Sequence, residues 1–237
     1  MKISPASYGF PAGTMVHTDQ GLVPIQDIKI GDLVLSRPES DGEHAPTEYK
    51  RVLRAFCDGE SEVIRLICQR KSEYAEFETP RYVQFLTPNQ PVWGDRLSEC
   101  ISACDLYIGE QVSGISHTDP LILLSIDPIY KASLSPTHHL GICREPSYGL
   151  EYRNDVDILI DFDPKGYTVN YNRFTSDYNF DRDVYCGYDH DAKRAISASF
   201  GEDPYSLLQI PVYNIEVEDF HSYFIGNQSI WVLAAKP

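Results

Sequence analysis

The apolar positions of this chain fall in short runs. Most alternate with polar residues as strands do, and few recur at helical spacing. The first run, Thr14 to Thr18, closes at a turn over Asp19-Gln20-Gly21. Leu22 to Ile25 begins a second strand or bend, with Pro24 at its edge. Ile28, Ile30, Leu33 and Leu35 supply apolar anchors around a Gly31-Asp32 turn, and a polar loop runs from Arg37 to Glu48. Tyr49 to Cys57 and Glu62 to Gln69 flank Asp58-Gly59-Glu60, which predicts a hairpin. Arg70 to Thr79 predicts the solvated tip of another hairpin, leading into a strand over Arg81 to Thr87. Leu97, Cys100, Ile101 and Cys104 are spaced for one or two helical turns, and Leu121 to Ile126 for a buried strand. Further strands are expected at Val156 to Phe162 and across Tyr167, Val169 and Tyr171, with a short helix at Ala192 to Phe200. Two last strands flank a turn at Gly226 to Ser229. The pattern predicts a mostly β chain, and no tandem repeat is evident.

Composition narrows the function. The 237 residues are enough for one domain or two small ones, and the hydrophobic fraction of 42% is ordinary for a globular protein. Twenty basic against 35 acidic residues give a formal charge of −15, which argues against binding a phosphate backbone and fits either a soluble chain or one whose partner is basic. No apolar run is long enough to span a membrane as a helix. The first residues lack the apolar core of a signal peptide. The six cysteines show no C-x-x-C metal spacing, and Cys100 and Cys104 read as small apolar residues on one face rather than a redox pair.

Two separated blocks carry a resemblance. The first runs from Gly9 to Ser36 and includes Gly13-Thr14, the turn glycine Gly21, Pro24-Ile25 and Gly31-Asp32-Leu33-Val34-Leu35. The second runs from Val212-Tyr213-Asn214-Ile215 through His221 to Ile230-Trp231-Val232-Leu233-Ala234. Together they resemble the opening and closing blocks of Hint domains, the fold of inteins, hedgehog autoprocessing domains and the pretoxin-Hint modules of polymorphic toxins. The resemblance implies a horseshoe-shaped β fold with an inserted α+β or β subdomain. Residues 9–116 and 207–235 would form the core, and the acidic, Tyr-rich residues 117–206 the insertion.

In that family the first residue of the opening block is a cysteine that attacks the preceding carbonyl. Here it is Gly9. Thr87 matches the residue that hydrogen-bonds the scissile amide. Gln90 stands where a proton-donating histidine is usual, and an amide cannot exchange a proton near neutral pH. Leu233 and Ala234 replace the closing His-Asn pair, and Ala235 replaces the acceptor. His221 and Asp219 survive in the closing block, with His221 expected to hold a turn. Rescue by Ser7 is disfavoured because attack geometry is strict.

The vestigial site expected is therefore Gly9, Thr87, Gln90, His221, Leu233 and Ala234, with no active catalytic residue. No metal and no cofactor are expected: His138-His139 lacks acidic neighbours at ligand spacing, His190 reads as part of a surface charge cluster, and an EF-hand beginning at Asp161 fails at Lys165 and Asn172. Asp177, Asp181 and Asp183 read as a solvated face. The expected role is a structural or protein-binding module, linked by the resemblance to a toxin or secretion system. It would lie in the cytoplasm or within an exported toxin, with no nucleic-acid or membrane partner and its oligomeric state open. The competing expectation is an autoprocessing domain whose nucleophile is replaced or non-standard.

Overall fold

The computed structural model describes residues 8–73, 81–131, 139–145, 156–170 and 207–235. Eighteen strands occur there: β1 (Phe10–Pro11), β2 (Met15–Thr18), β3 (Gly21–Pro24), β4 (Leu33–Ser36), β5 (Glu48–Glu62), β6 (Ile64–Arg70), β7 (Tyr82–Leu86), β8 (Pro91–Gly94), β9 (Glu99–Ser102), β10 (Gln111–Val112), β11 (Leu121–Pro128), β12 (Tyr130–Lys131), β13 (Leu140–Glu145), β14 (Val156–Asp163), β15 (Gly166–Asn170), β16 (Gln209–Val217), β17 (Ser222–Ile225) and β18 (Ile230–Leu233). The helical segments among the described residues are short 3-10 turns. Fourteen strands form one sheet: twelve follow the hydrogen-bonded path β1-β16-β5-β4-β2-β17-β18-β8-β10-β11-β6-β7, and β3 and β9 attach to β2 and β8. The two ends of that path meet, because the amide of Thr87, just past β7, donates to the carbonyl of Gly9, just before β1, at 3.0 Å. The remaining strands form a second sheet, β12-β13-β14-β15.

The large sheet uses one local design twice. Hairpins β2–β3 and β8–β9 have matching registers, Met15 opposite Pro24 and Pro91 opposite Ser102. Each is followed by a 3-10 turn, Ile25–Asp27 and Ala103–Asp105. The turn amides reach back to equivalent carbonyls, Ile25 to Thr14 at 2.8 Å and Ala103 to Gln90 at 3.0 Å. Next come Ile30-Gly31-Asp32 and Ile108-Gly109-Glu110. In each, the carboxylate accepts the amide three residues back, Lys29 to Asp32 at 2.8 Å and Tyr107 to Glu110 at 3.0 Å. Gly31 and Gly109 both sit at positive φ, +96° and +89°, where a side chain would be strained. Their amides donate to Val52 and Leu123, at 2.9 and 2.7 Å. The duplication is hidden in the sequence because few residue identities survive it.

The main core lies inside this double unit, where Val16 and Val92, Ile25 and Ala103, and Val34 and Val112 are buried in pairs. Each fully buried aliphatic chain is worth roughly 1.5–3 kcal/mol. A second cluster joins the two sheets through Phe85, Ile129, Ile160, Phe162, Leu208 and Val212. There Phe85 meets Phe162 and Tyr167 edge-on, at 5.2 and 4.8 Å. Gln26 ties the sheets again, accepting from the Gly13 amide at 2.8 Å and donating to the Lys165 carbonyl at 3.2 Å.

Three expectations change. Asp58-Gly59-Glu60 is no hairpin turn; β5 continues through it and pairs with β16, while the register shifts between Pro211 and Tyr213. Gly59, at φ +88°, lets that irregularity form. Leu97 to Cys104 is not helical: Leu97 and Ser98 lie in the hairpin turn, pairing with β8 draws Glu99–Ser102 into β9, and a short 3-10 turn follows at Ala103–Asp105. Ile30 is not an anchor; it is 71% exposed at the tip of its turn, and Ile108 is 72% exposed at the equivalent tip. Leu121–Pro128 pairs with β6 in the large sheet. Ser7, His138, Tyr171, Asn172, Asp177, Asp181, Asp183, Cys186, His190 and the segment Ala192 to Phe200 lie outside the described residues.

Candidate functional site

The meeting of the sheet's ends builds the site. Gly9 is buried at the start of β1. Its amide donates to Thr87 Oγ1 at 3.0 Å, and its carbonyl accepts the Thr87 amide at the same distance. One residue earlier, the Tyr8 carbonyl accepts Asn214 Nδ2 at 2.9 Å. Both sides of the Tyr8–Gly9 peptide are thus held, the carbonyl by Asn214 and the N–H by Thr87. Asn214 is itself fixed, because its Oδ1 accepts the Ile215 amide at 2.8 Å and the Tyr223 hydroxyl at 2.9 Å. Burial, and then the nearby Tyr8, push the Tyr223 phenol well above its ordinary pKa, so it remains a donor.

The outgoing segment lies beside this. Gln90, fully buried, donates from Nε2 to the Leu233 carbonyl at 2.9 Å and to the Pro91 carbonyl at 3.2 Å. The Ala234 amide donates to the His221 carbonyl at 2.8 Å, and the Ala235 amide to the Ile215 carbonyl at 3.0 Å. Neighbouring residues of β16, Asn214 and Ile215, therefore hold the chain before Gly9 and after Ala234. His221, at φ +48°, directly follows the turn over residues 218–220, which holds Asp219 at φ +61°. Its Nδ1 is buried with no hydrogen-bond partner among the described residues. All six residues expected at the site are thus connected, through Gly9–Thr87 on one side and Gln90–Leu233–Ala234–His221 on the other.

Asn214 and Tyr223 were missed by sequence reasoning. The available signal was a polar side chain within a β16 run from Val212 to Val217 whose other residues, Glu216 aside, are apolar or aromatic. The site's chemistry is limited. Among its described side chains, Gly9, Leu233 and Ala234 offer no nucleophile or proton carrier, and Gln90 offers an amide. No disulfide joins the described cysteines, and burial pushes buried Cys68 up to about 12, far from a reactive thiolate. No group of three or more His, Cys, Asp and Glu among the described residues is placed to hold a metal ion.

No protein-family model matches the chain, and no curated protein matches it. Solved structures do. A DnaB intein from Synechocystis sp. PCC 6803 superposes with a TM-score of 0.51 at 11% identity, covering 97% of this chain and 100% of that one. The Ssp DnaB mini-intein variant M86 gives 0.52 at 10% identity, covering 99% and 100%. The chain has the Hint fold of inteins. At such low identity the likeness concerns the fold alone. Within the Hint core, Gly9 and Ala234 are brought to one place by β16.

Proposed function

We propose that the chain is a catalytically silent Hint domain that serves as a structural or protein-binding module, with a basic protein as the partner its charge favours. The observation that carries this is at Gly9. A Cβ built there would lie 2.6 Å from the backbone carbonyl oxygen of Tyr213, closer than real Cβ contacts come. The position lacks a nucleophile and also lacks room for one unless β16 moves. Gln90 points the same way, because its amide is engaged with the Leu233 carbonyl. A place in a toxin or secretion system follows from the resemblance alone.

The second reading, an autoprocessing domain with a replaced nucleophile, draws on the Tyr8–Gly9 peptide still being held at both its carbonyl and its N–H. The two are separated by intact mass after prolonged incubation with a dithiol. The silent reading expects one unchanged mass for the native chain. It expects no cleavage for Gly9→Cys either, which should lose about 1–3 kcal/mol of stability through overpacking. Scission at Tyr8–Gly9 or Ala234–Ala235 in the native chain would overturn it. Recovery of cleavage on combining Gly9→Cys, Gln90→His, Leu233→His and Ala234→Asn would show that the scaffold still positions the chemistry.

A further inference from the structure

β7 ends the path of the large sheet, and β6 is its strand partner there. Along a strand, backbone N–H and C=O groups point alternately to either side. Two contacts show which residues turn theirs away from β6. Thr87 donates its amide to Gly9, and Gln84 Nε2 donates to the Phe85 carbonyl at 3.0 Å. Val83 stands in phase with both, so its N–H and C=O also face outward, and among the described residues no partner for them is found. The Gln84 amide caps the edge at Phe85 and leaves it open at Val83.

A cavity of about 220 Å³ lies at that open position, lined by Val83, Gln84, Tyr167, Gly226, Gln228 and Ile230 among others. That is room for about seven waters, or a short piece of extended chain. The lining comes from both faces of β7. Val83 and Tyr167 pack on the second cluster, whereas Gln84 approaches Thr14 on the other face. Gln228 lines the cavity, and its Oε1 is buried with no hydrogen-bond partner among the described residues. A free strand donor, a free strand acceptor and an unmatched amide oxygen, beside apolar walls, match the repeating chemistry of a peptide backbone.

We propose that this cavity seats an extended segment of a protein partner, which adds to β7 as a short strand through the Val83 N–H and C=O. A small side chain of that segment packs toward Ile230, and Gln228 turns its buried Oε1 to accept one of its amides. Arg81 is the charged residue of the lining, and the formal charge of −15 on the chain as a whole favours basic residues at the ends of the segment, clear of Arg81. This rests on the binding-module reading and names where the partner docks.

The probe is the blocked pentapeptide acetyl-Lys-Val-Thr-Val-Lys-amide, titrated to millimolar concentration into the full chain while backbone amide resonances are followed. The control peptide carries proline in place of threonine. Saturable shifts are expected at Val83, Gly226 and Gln228. They should be at least about tenfold weaker in affinity for the control peptide and for the Val83→Pro variant. Val83→Pro removes an N–H that faces away from β6, on an edge strand where proline is tolerated. Gln228→Leu, which leaves β7 untouched, is read alongside and decides the matter if the proline variant does not fold. Absence of saturable shifts, undiminished binding by both variants, or shifts confined to other surfaces would overturn the proposal. Intact mass in the same samples reports on silence independently, so failure of one reading is not failure of the other.

Discussion

The two copies of the local design differ most at their ends. In the first, Thr14 is buried, and its hydroxyl is approached by Gln84 Nε2 at 3.5 Å, a contact within the scaffold. In the second, the equivalent residue is Gln90, whose longer side chain crosses to the Leu233 carbonyl at 2.9 Å and so reaches the outgoing segment. A similar divergence separates Asp32 from Glu110. Both carboxylates close their own turn, but Glu110 is the longer and buries its other oxygen close to Gly94, 3.4 Å from Arg96 Nε. The aspartates that follow the first strand of each hairpin also part company. Asp19 is exposed, whereas Asp95 is partly buried near Glu110 and Glu43. The backbone framework is repeated, and the second copy has used its longer side chains to carry the site and to bury charge.

The largest effects should come where the copies are alike. Val52 and Leu123 are both fully buried, and each accepts the amide of its turn glycine. Leu123→Ala should cost about 3 kcal/mol and Val52→Ala about 2 kcal/mol in chemical denaturation. A cost in only one copy would mean that the other does not bear the core. The next effect belongs to the divergent pair. Gln90→Leu leaves the Leu233 carbonyl unmatched and should cost about 2 kcal/mol, while Thr14→Val should cost about 1 kcal/mol. Faster amide exchange at Ala234 is expected only with Gln90→Leu. Equal exchange in both variants would remove the distinction between them.

Much of the fold was legible because short strands with alternating burial write themselves into sequence, as at Met15–Thr18, where burial alternates residue by residue. The spacing of the two terminal blocks also located the site's chain segments. Two things were not legible. A bulge and a hairpin turn both call for an Asp-Gly pair, so only pairing with β16 decides the role of Gly59. The collision at Gly9 depends on the Tyr213 carbonyl, which lies 204 positions further along the chain and comes near only once β1 and β16 pair. The double design escaped notice for a related reason. It is carried by hydrogen bonds and positive-φ turns, which Ile30-Gly31-Asp32 and Ile108-Gly109-Glu110 share with little other identity.

The smallest effect tests the buried charge of the second copy. Burial first, then Glu43 by charge and hydrogen bonding, and then Glu110 raise the Asp95 carboxyl to about 7, with Lys71 opposing. The unfolded chain releases that proton near 4. Between those values the native state binds more protons than the unfolded state, so this group lowers stability as pH rises through the window. Above about 7 the penalty is complete, and below about 4 it vanishes. Asp95→Asn should therefore be more stable than the native chain at pH 8, by about 1 kcal/mol once solvent screening is allowed for. The gain should shrink toward zero as the pH falls to 4. Thermal melts of both proteins across that range read the gap directly, and groups elsewhere cancel in the difference. Asp19→Asn, at the equivalent exposed position, is the control. The same pH-dependent gain there would show that burial in the second copy is not its cause, and a gain for Asp95→Asn that grew toward acid would reverse the assignment of the proton.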